Sequence, residues 1–334
     1  MINILSFQLR QVLSKLLKIT GGINYFWNKL PNGVYAFNYH RIGDKEKTPY
    51  DRAIFSCTEF AFEQQIIILK KHFKIINTVE LARLIENNEM VKDRFAVITF
   101  DDGYLDNFTT ALPILQKHQV TAVFYLTTAF LDSNQITWWD EIAYLLRKSE
   151  GKEYQLPSSP TKYILLKENI DHIIRKIMTE IKLSKHISVL EALEDIRIKF
   201  PLAKKTLLAE NIQLFINWQQ AKELLNHGME IGSHTLTHPI LSQVNSEQHK
   251  KEIIDSKSIL EQRLNCEINS IAYPVGRYYC YNEKSIEYTA EAGYKIGFNN
   301  EPGFHRSISN CLDINRFCVA TNDINYLKYE CCFT

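Results

Sequence analysis

Along residues 34–298, short runs that suit strands alternate with longer stretches whose apolar positions recur every three or four residues. The short runs are Val34–Tyr39, Phe95–Phe100, Thr121–Leu126, Glu230–Gly232, Ser270–Tyr273 and Lys295–Phe298. A continuous β-branched and aromatic run such as FAVITF suits a strand buried on both faces, as in parallel sheets. The stretches between them carry the helical period: Glu59–Phe73, Val79–Asn87, Asn107–His118, Trp218–His227, Ser246–Leu264 and Glu283–Ala292. In the first, Phe60, Phe62, Ile66, Ile67 and Leu69 are the apolar positions. This strand–helix alternation predicts a parallel β/α architecture.

Two segments depart from that rhythm. Residues 138–217 are mostly helical and polar, broken by LPSSP, and are expected to be a helical insertion on the main body, residues 31–334. Residues 1–30 are expected to be an amphipathic helical segment. In MINILSFQLRQVLSKLLKIT, Leu5, Leu9, Val12, Leu13, Leu16 and Leu17 share a face, and Arg10, Lys15 and Lys18 lie off it. Such a helix either packs its stripe on the protein or lies as a basic helix on an anionic membrane surface. It has no long apolar run and no small-residue cleavage site, so neither a membrane span nor a signal peptide is expected.

Composition narrows the class. With 334 residues, 45% of them hydrophobic, the chain has ample material for a large core. Its 39 Lys and Arg nearly balance 38 Asp and Glu, so no nucleic-acid partner is expected. Seven cysteines, with no CxxC pair, argue against a secreted disulfide framework or a zinc ribbon. Reduced thiols in a cytoplasmic protein fit better.

Three clusters carry candidate chemistry. Asp101-Asp102-Gly103-Tyr104 ends a predicted buried strand, where α/β folds place catalytic groups. Adjacent carboxylates repel unless a cation or a shared proton relieves them, although Asp-Asp-Gly is also ordinary turn chemistry. His234-Thr235-Leu236-Thr237-His238 also follows a strand. Its spacing can bring two imidazoles to one metal, and with Asp102 the set leaves a coordination position for water. The third cluster, Tyr273-Pro274-Val275-Gly276-Arg277, reads as a tight turn whose backbone N–H groups can point inward.

TFDDGY, SHTLTHP and YPVGR, in that order, resemble the motifs of the polysaccharide deacetylases, the NodB-homology group or carbohydrate esterase family four. The resemblance runs from about Val34 to Arg316 around the insertion. It implies an incomplete, distorted (β/α)7 barrel of α/β class. It also implies Asp101 as general base, Asp102, His234 and His238 as metal ligands, the Val275 N–H as an oxyanion donor and Thr235 as a brace for the histidine loop. The ion implied is a divalent metal, Zn²⁺ first, with Co²⁺, Mn²⁺ or Fe²⁺ also suited. The third motif departs from the family pattern, because Ala272 stands where an arginine is usual.

The general-acid histidine usual near the C-terminus is also missing. Only His305 lies there, in EPGFHRS. Asn38-Tyr39-His40-Arg41 instead resembles the branch that deacetylates poly-N-acetylglucosamine, in which the acid histidine lies N-terminally, and this points to His40. Substrate contacts are expected from Tyr104, Tyr273, Pro274 and Arg277. Trp138-Trp139-Asp140-Glu141 suits either sugar stacking or anchoring of the insertion, and the resemblance implies Arg316 as the residue that orients Asp101. The implied activity is N-deacetylation of an N-acetylated sugar in a surface polysaccharide, lipopolysaccharide or precursor. It would act in the cytoplasm, at the inner face of the membrane if the first helix lies on lipid. An O-deacetylase, a non-sugar amide hydrolase and a silent carbohydrate-binding protein are the competing readings.

Overall fold

In the run Gly33–Tyr39 every side chain is buried, but successive residues enter different cores. Tyr35, Phe37 and Tyr39 join one apolar cluster, Val34 and Ala36 the other. Arg94–Phe100 divides likewise, with Ala96, Ile98 and Phe100 on one side and Val97 on the other. A strand with period-two burial on both faces must lie inside a covered sheet.

The computed structural model describes residues 2–86, 90–133, 135–184, 187–209 and 212–333. Its main sheet contains β1 (Gly33–Tyr39), β2 (Lys74–Ile75), β3 (Arg94–Phe100), β4 (Val123–Leu126), β5 (Glu230–Ser233), β6 (Ser270–Ala272), β7 (Ile296–Phe298), β8 (Phe304–His305) and β9 (Phe317–Cys318). Seven of them run in the hydrogen-bonded order β7-β6-β5-β4-β3-β1-β8. In addition, β2 pairs with β3 and β9 with β1. All pairings are parallel except β1 with β8. The expected α/β incomplete barrel is thus the observed fold: a curled half-barrel of seven strands with helices between them.

The helices begin where the sequence supplies caps. The Thr58 side chain caps Glu59–His72, and Asn217 with Gln220 forms a capping box on Trp218–Asn226. Asn245 starts Ser246–Leu264, and left-handed Asn265 ends it. The helix expected over Val79–Asn87 spans Thr78–Glu86, and Asn87 lies outside the described residues. Asn107–His118 is not one α-helix. Asn107–Ala111 forms a π-helical turn that leads into Leu112–Lys117, because Pro113 has no N–H to continue the ladder.

The chain divides into two compact units. The first holds the sheet, as residues 1–43, 56–132 and 215–334. The second comprises residues 44–55 and 133–214, with helices Trp138–Arg147, Ile170–Leu183, Val189–Lys199 and Pro201–Ala209 and a two-stranded hairpin. Trp139, Asp140 and Glu141 serve inside this second unit. Trp139 is buried, Asp140 accepts hydrogen bonds from the Asp51 N–H and Thr137, and Glu141 forks with Arg197 at 2.7 Å.

At the start of the chain, α1 (Ile2–Ile19) and α2 (Gly22–Asn28) meet at left-handed Gly21. Leu9, Val12, Leu13 and Leu16 are exposed; the Leu5 side chain lies outside the described residues. Buried Ser14 and half-buried Leu17, about 150° and 90° round the helix from that stripe, face inward instead.

Candidate active site

The functional side chains continue the alternation of the strands. Val34 and Ala36 lead to Asn38 and His40, and Val97 leads to Thr99 and Asp101, all on one face. Register pairs Asn38 with Thr99 at the carboxyl end of the sheet. There Arg316, with 0% exposure, forks onto Asp101: Nη1 donates to Oδ1 and Nη2 to Oδ2, each at 2.8 Å. Its Nε donates to the Asn299 carbonyl, and the Tyr125 and Phe298 rings flank the guanidinium at 5.7 Å. Asn38 donates to Asp101 Oδ2 at 2.8 Å. Burial pushes the Asp101 carboxyl up, but Arg316, His234 and His40 outweigh it and hold it below the usual carboxylate value. His40 Nε2 lies 4.0 Å from Asp101 Oδ2.

Asp102, His234 and His238 converge. One ligand atom from each lies within 4.8 Å of the others, and all three side chains are buried. Asp102 Oδ1 faces Nε2 of His234 at 3.4 Å and of His238 at 3.3 Å, yet among the described residues it accepts no hydrogen bond. Burial disfavours a charged His234, but Asp101 and Asp102 more than offset it and raise its pKa. A buried acceptor left unsatisfied, in a pocket that draws in positive charge, fits a divalent cation. His234 Nδ1 donates to the Ala272 carbonyl at 2.7 Å, which leaves Nε2 as the ligand nitrogen. A backbone oxygen does this work, so this contact does not depend on the side chain at position 272.

The loops are strained. Asp102, Thr235, His238 and Val275 have φ between 60° and 74°, conformations that cost non-glycine residues roughly 1–2 kcal/mol each. Neighbours hold them there. Glu252 accepts from the Leu236 and Thr237 N–H groups and the Thr237 hydroxyl, and the His238 N–H donates to Thr235 Oγ1. Asn300 holds the Pro274–Arg277 turn: its N–H donates to the Gly276 carbonyl, its Nδ2 to the Val275 carbonyl, and its Oδ1 accepts from Asn38. A Cβ on Gly276, at φ 64°, would stand 2.8 Å from the Asn300 nitrogen.

Two of the expected substrate contacts are corrected. Tyr104 is fully buried, with its ring 4.6 Å from Phe215 and under the Arg41 guanidinium. Tyr273 is fully buried as well, and its hydroxyl donates to the Leu312 carbonyl. Both rings support the loops from beneath and offer no surface to a sugar. Pro274 is buried too. Val275 and Arg277 are part-exposed, and Arg277 pairs with Glu301 at 3.3 Å. His305 pairs with Val34, at the far end of β1 from His40 and roughly 20 Å along the strand, and it accepts from the Asn315 N–H.

Asn38, Asp106, Asn107, Glu252 and Asn300 escaped the sequence reading. Asp106 binds Arg41 and the Ile42 N–H, and Asn107 donates to the His40 carbonyl, so the turn after Asp101 clamps the His40 segment. For Asn38 a signal existed: it is the one amide in an otherwise apolar strand, two residues from His40. Glu252 and Asn300 carried none, being ordinary polar residues until the fold brings them in.

The half-barrel thus carries, at the carboxyl end of its strands, a carboxylate–imidazole cluster that could hold a metal ion. The polysaccharide deacetylase family model matches residues 88–160 and 168–297, more than half of the chain, and the chain belongs to that family, one of hydrolases. It is 22% identical over 231 residues to YxkH of Bacillus subtilis (strain 168), covering 69% of this chain and 53% of YxkH. Over 115 residues it is 25% identical to the poly-beta-1,6-N-acetyl-D-glucosamine N-deacetylase of Escherichia coli (strain K12), 33% of this chain and 17% of that protein. The chain thus spans about half or less of these curated relatives. Among solved structures, IcaB from Ammonifex degensii matches with a TM-score of 0.58 at 15% identity, over 91% of this chain and 98% of IcaB, a likeness of fold.

Proposed function

We propose that the protein is a metal-dependent N-deacetylase acting on an N-acetylated sugar, an N-acetylglucosamine unit first, in a surface polysaccharide, lipopolysaccharide or precursor. One observation carries this reading: Asp102, His234 and His238 lie together with an unsatisfied buried oxygen, beside an Asp101 that is oriented and ionised. The E. coli relative's named substrate supports the sugar. Seven free thiols support action in a reducing compartment.

Asp102, His234 and His238 would hold the ion; two nitrogens and one carboxylate suit Zn²⁺, and also Co²⁺, Mn²⁺ or Fe²⁺. Bound there, it supplies Lewis-acid chemistry, lowering the pKa of a water towards about 7 and polarising the amide carbonyl. Asp101 accepts the proton of the attacking water. The Arg316 fork that keeps Asp101 ionised also weakens it as a base, a cost met by its fixed aim. The Val275 N–H donates to the developing oxyanion. His40 gives its proton to the departing nitrogen as the C–N bond breaks, leaving acetate and a free amine. Arg277, part-exposed and paired with Glu301, is the remaining side-chain contact for the sugar.

The test is acetate and free-amine release from N-acetylglucosamine oligomers, O-acetylated sugars and non-sugar acetamides. Each is assayed after chelation and again after adding back Zn²⁺, Co²⁺, Mn²⁺ or Fe²⁺. Amine release from the oligomers that is lost on chelation and restored by metal is expected. Turnover indifferent to chelator, or release from O-acetyl esters alone, overturns the proposal.

A further inference from the structure

An amphipathic helix normally spends its apolar stripe on the body of its own protein, because burial of that area is what stabilises it. In α1 the opposite holds. Leu9, Val12, Leu13, Leu16 and Ile19 occupy one face, and they are 60%, 53%, 40%, 54% and 81% exposed. The helix meets α2 and the C-terminal helix Ile324–Phe333 through the other side, where Ser14 is buried. Its charges are one-sided as well: residues 2–19 contain Arg10, Lys15 and Lys18 and no acid. Arg10 and Lys15 flank the stripe on its two sides, each roughly 110° from its centre. From there long side chains reach the headgroups while the stripe enters the acyl boundary.

We propose that α1 docks the protein onto an anionic lipid surface, with Leu9, Val12, Leu13, Leu16 and Ile19 in the interface and Arg10 and Lys15 on the headgroups. The lipid surface is favoured over a second copy of the chain by charge. A two-fold contact through this stripe would set Arg10 and Lys15 against the same cations of the partner, with no acid on either helix to pair them. Asp323 lies 4.0 Å from Lys18 and Glu330 faces Arg10, but both acids belong to the C-terminal region on the helix's other side. Among the described residues no helix is long and apolar enough to cross a membrane, so the contact is one of lying on the surface. The proposal does not rest on the deacetylase reading.

The full chain is floated with phosphatidylcholine vesicles, alone and with a third phosphatidylglycerol. Binding to the anionic vesicles is expected to exceed binding to the neutral ones roughly tenfold or more, and to fall as salt rises. Lys15→Glu should weaken it by about tenfold, and Leu13→Glu/Leu16→Glu should abolish it, with thermal stability and acetate release unchanged. Three results overturn the proposal: no flotation of the wild type, equal flotation of the double variant, or a wild-type dimer that the double variant converts to monomer without any vesicle binding.

Discussion

Asp101 accepts three hydrogen bonds from Arg316 and Asn38, and the consequences can be measured one side chain at a time. Asp101→Asn keeps the size and most of the hydrogen bonds but cannot take a proton. It should lower turnover by about 10³-fold or more while metal uptake, measured by calorimetry, persists. Arg316→Gln removes the charge that holds Asp101 low. The acidic limb of the pH–rate profile should therefore move to higher pH, since a carboxyl released from its cation protonates more readily. The same substitution leaves Asp101 buried without its partner, at a cost of roughly 3–5 kcal/mol in chemical denaturation. A profile whose acidic limb stays in place would remove Arg316 from any role in setting the base.

Helix Ser246–Leu264 reaches the histidine loop directly through Glu252 and by way of Ser233 through Ser256. Glu252, buried, ties down the loop that carries both histidines. Glu252→Gln should weaken metal affinity by roughly 10–100-fold with little change in fold, the usual effect of losing a partner behind the ligands. The C-terminal helix presents a different carboxyl. Burial pushes Glu330 up to about 7, Arg10 and Tyr326 offsetting only part of it. A raised carboxyl costs nothing below its unfolded value near 4.5, a growing amount as pH rises towards 7, and a constant amount beyond. Glu330→Gln should thus be neutral near pH 4 and stabilising above pH 7, on the order of 1–2 kcal/mol with allowance for part-exposure. Melting curves at the two pH values decide it.

For the molecule as a whole, an ion bound only by the folded chain must stabilise it by mass action. Chelation should lower the melting temperature of the wild type and leave His238→Ala unmoved. Much of this architecture was legible along the chain. Ser246–Leu264 begins and ends where its caps and apolar period place it, and FAVITF is a strand because a run of that kind has no solvent face to offer. That Asp102, His234 and His238 would meet was legible as well, because TFDDGY and SHTLTHP in that order match the motifs of the family. Periodicity reports how many faces a segment buries, and chemistry-bearing residue types report themselves.

Neither says what lies opposite. Tyr104 and Tyr273 looked like sugar contacts and are buried supports, because Phe215 lies on the first ring, Tyr281 stacks on the second and the Leu312 carbonyl takes its hydroxyl. The NYHR motif favoured His40 over His305 along the chain, and the pairing of β1 with β8 puts His305 at the other end of the strand. The α1 stripe suited either a packed face or a lipid surface, and whether a face is buried depends on a partner surface, which the described residues do not supply there. Asn300 and Glu252 join the site through proximity alone. Side-chain identity and local period are properties of neighbours in the chain, whereas burial, strain and hydrogen-bond partners are set by residues hundreds of positions apart that meet only once the sheet has curled.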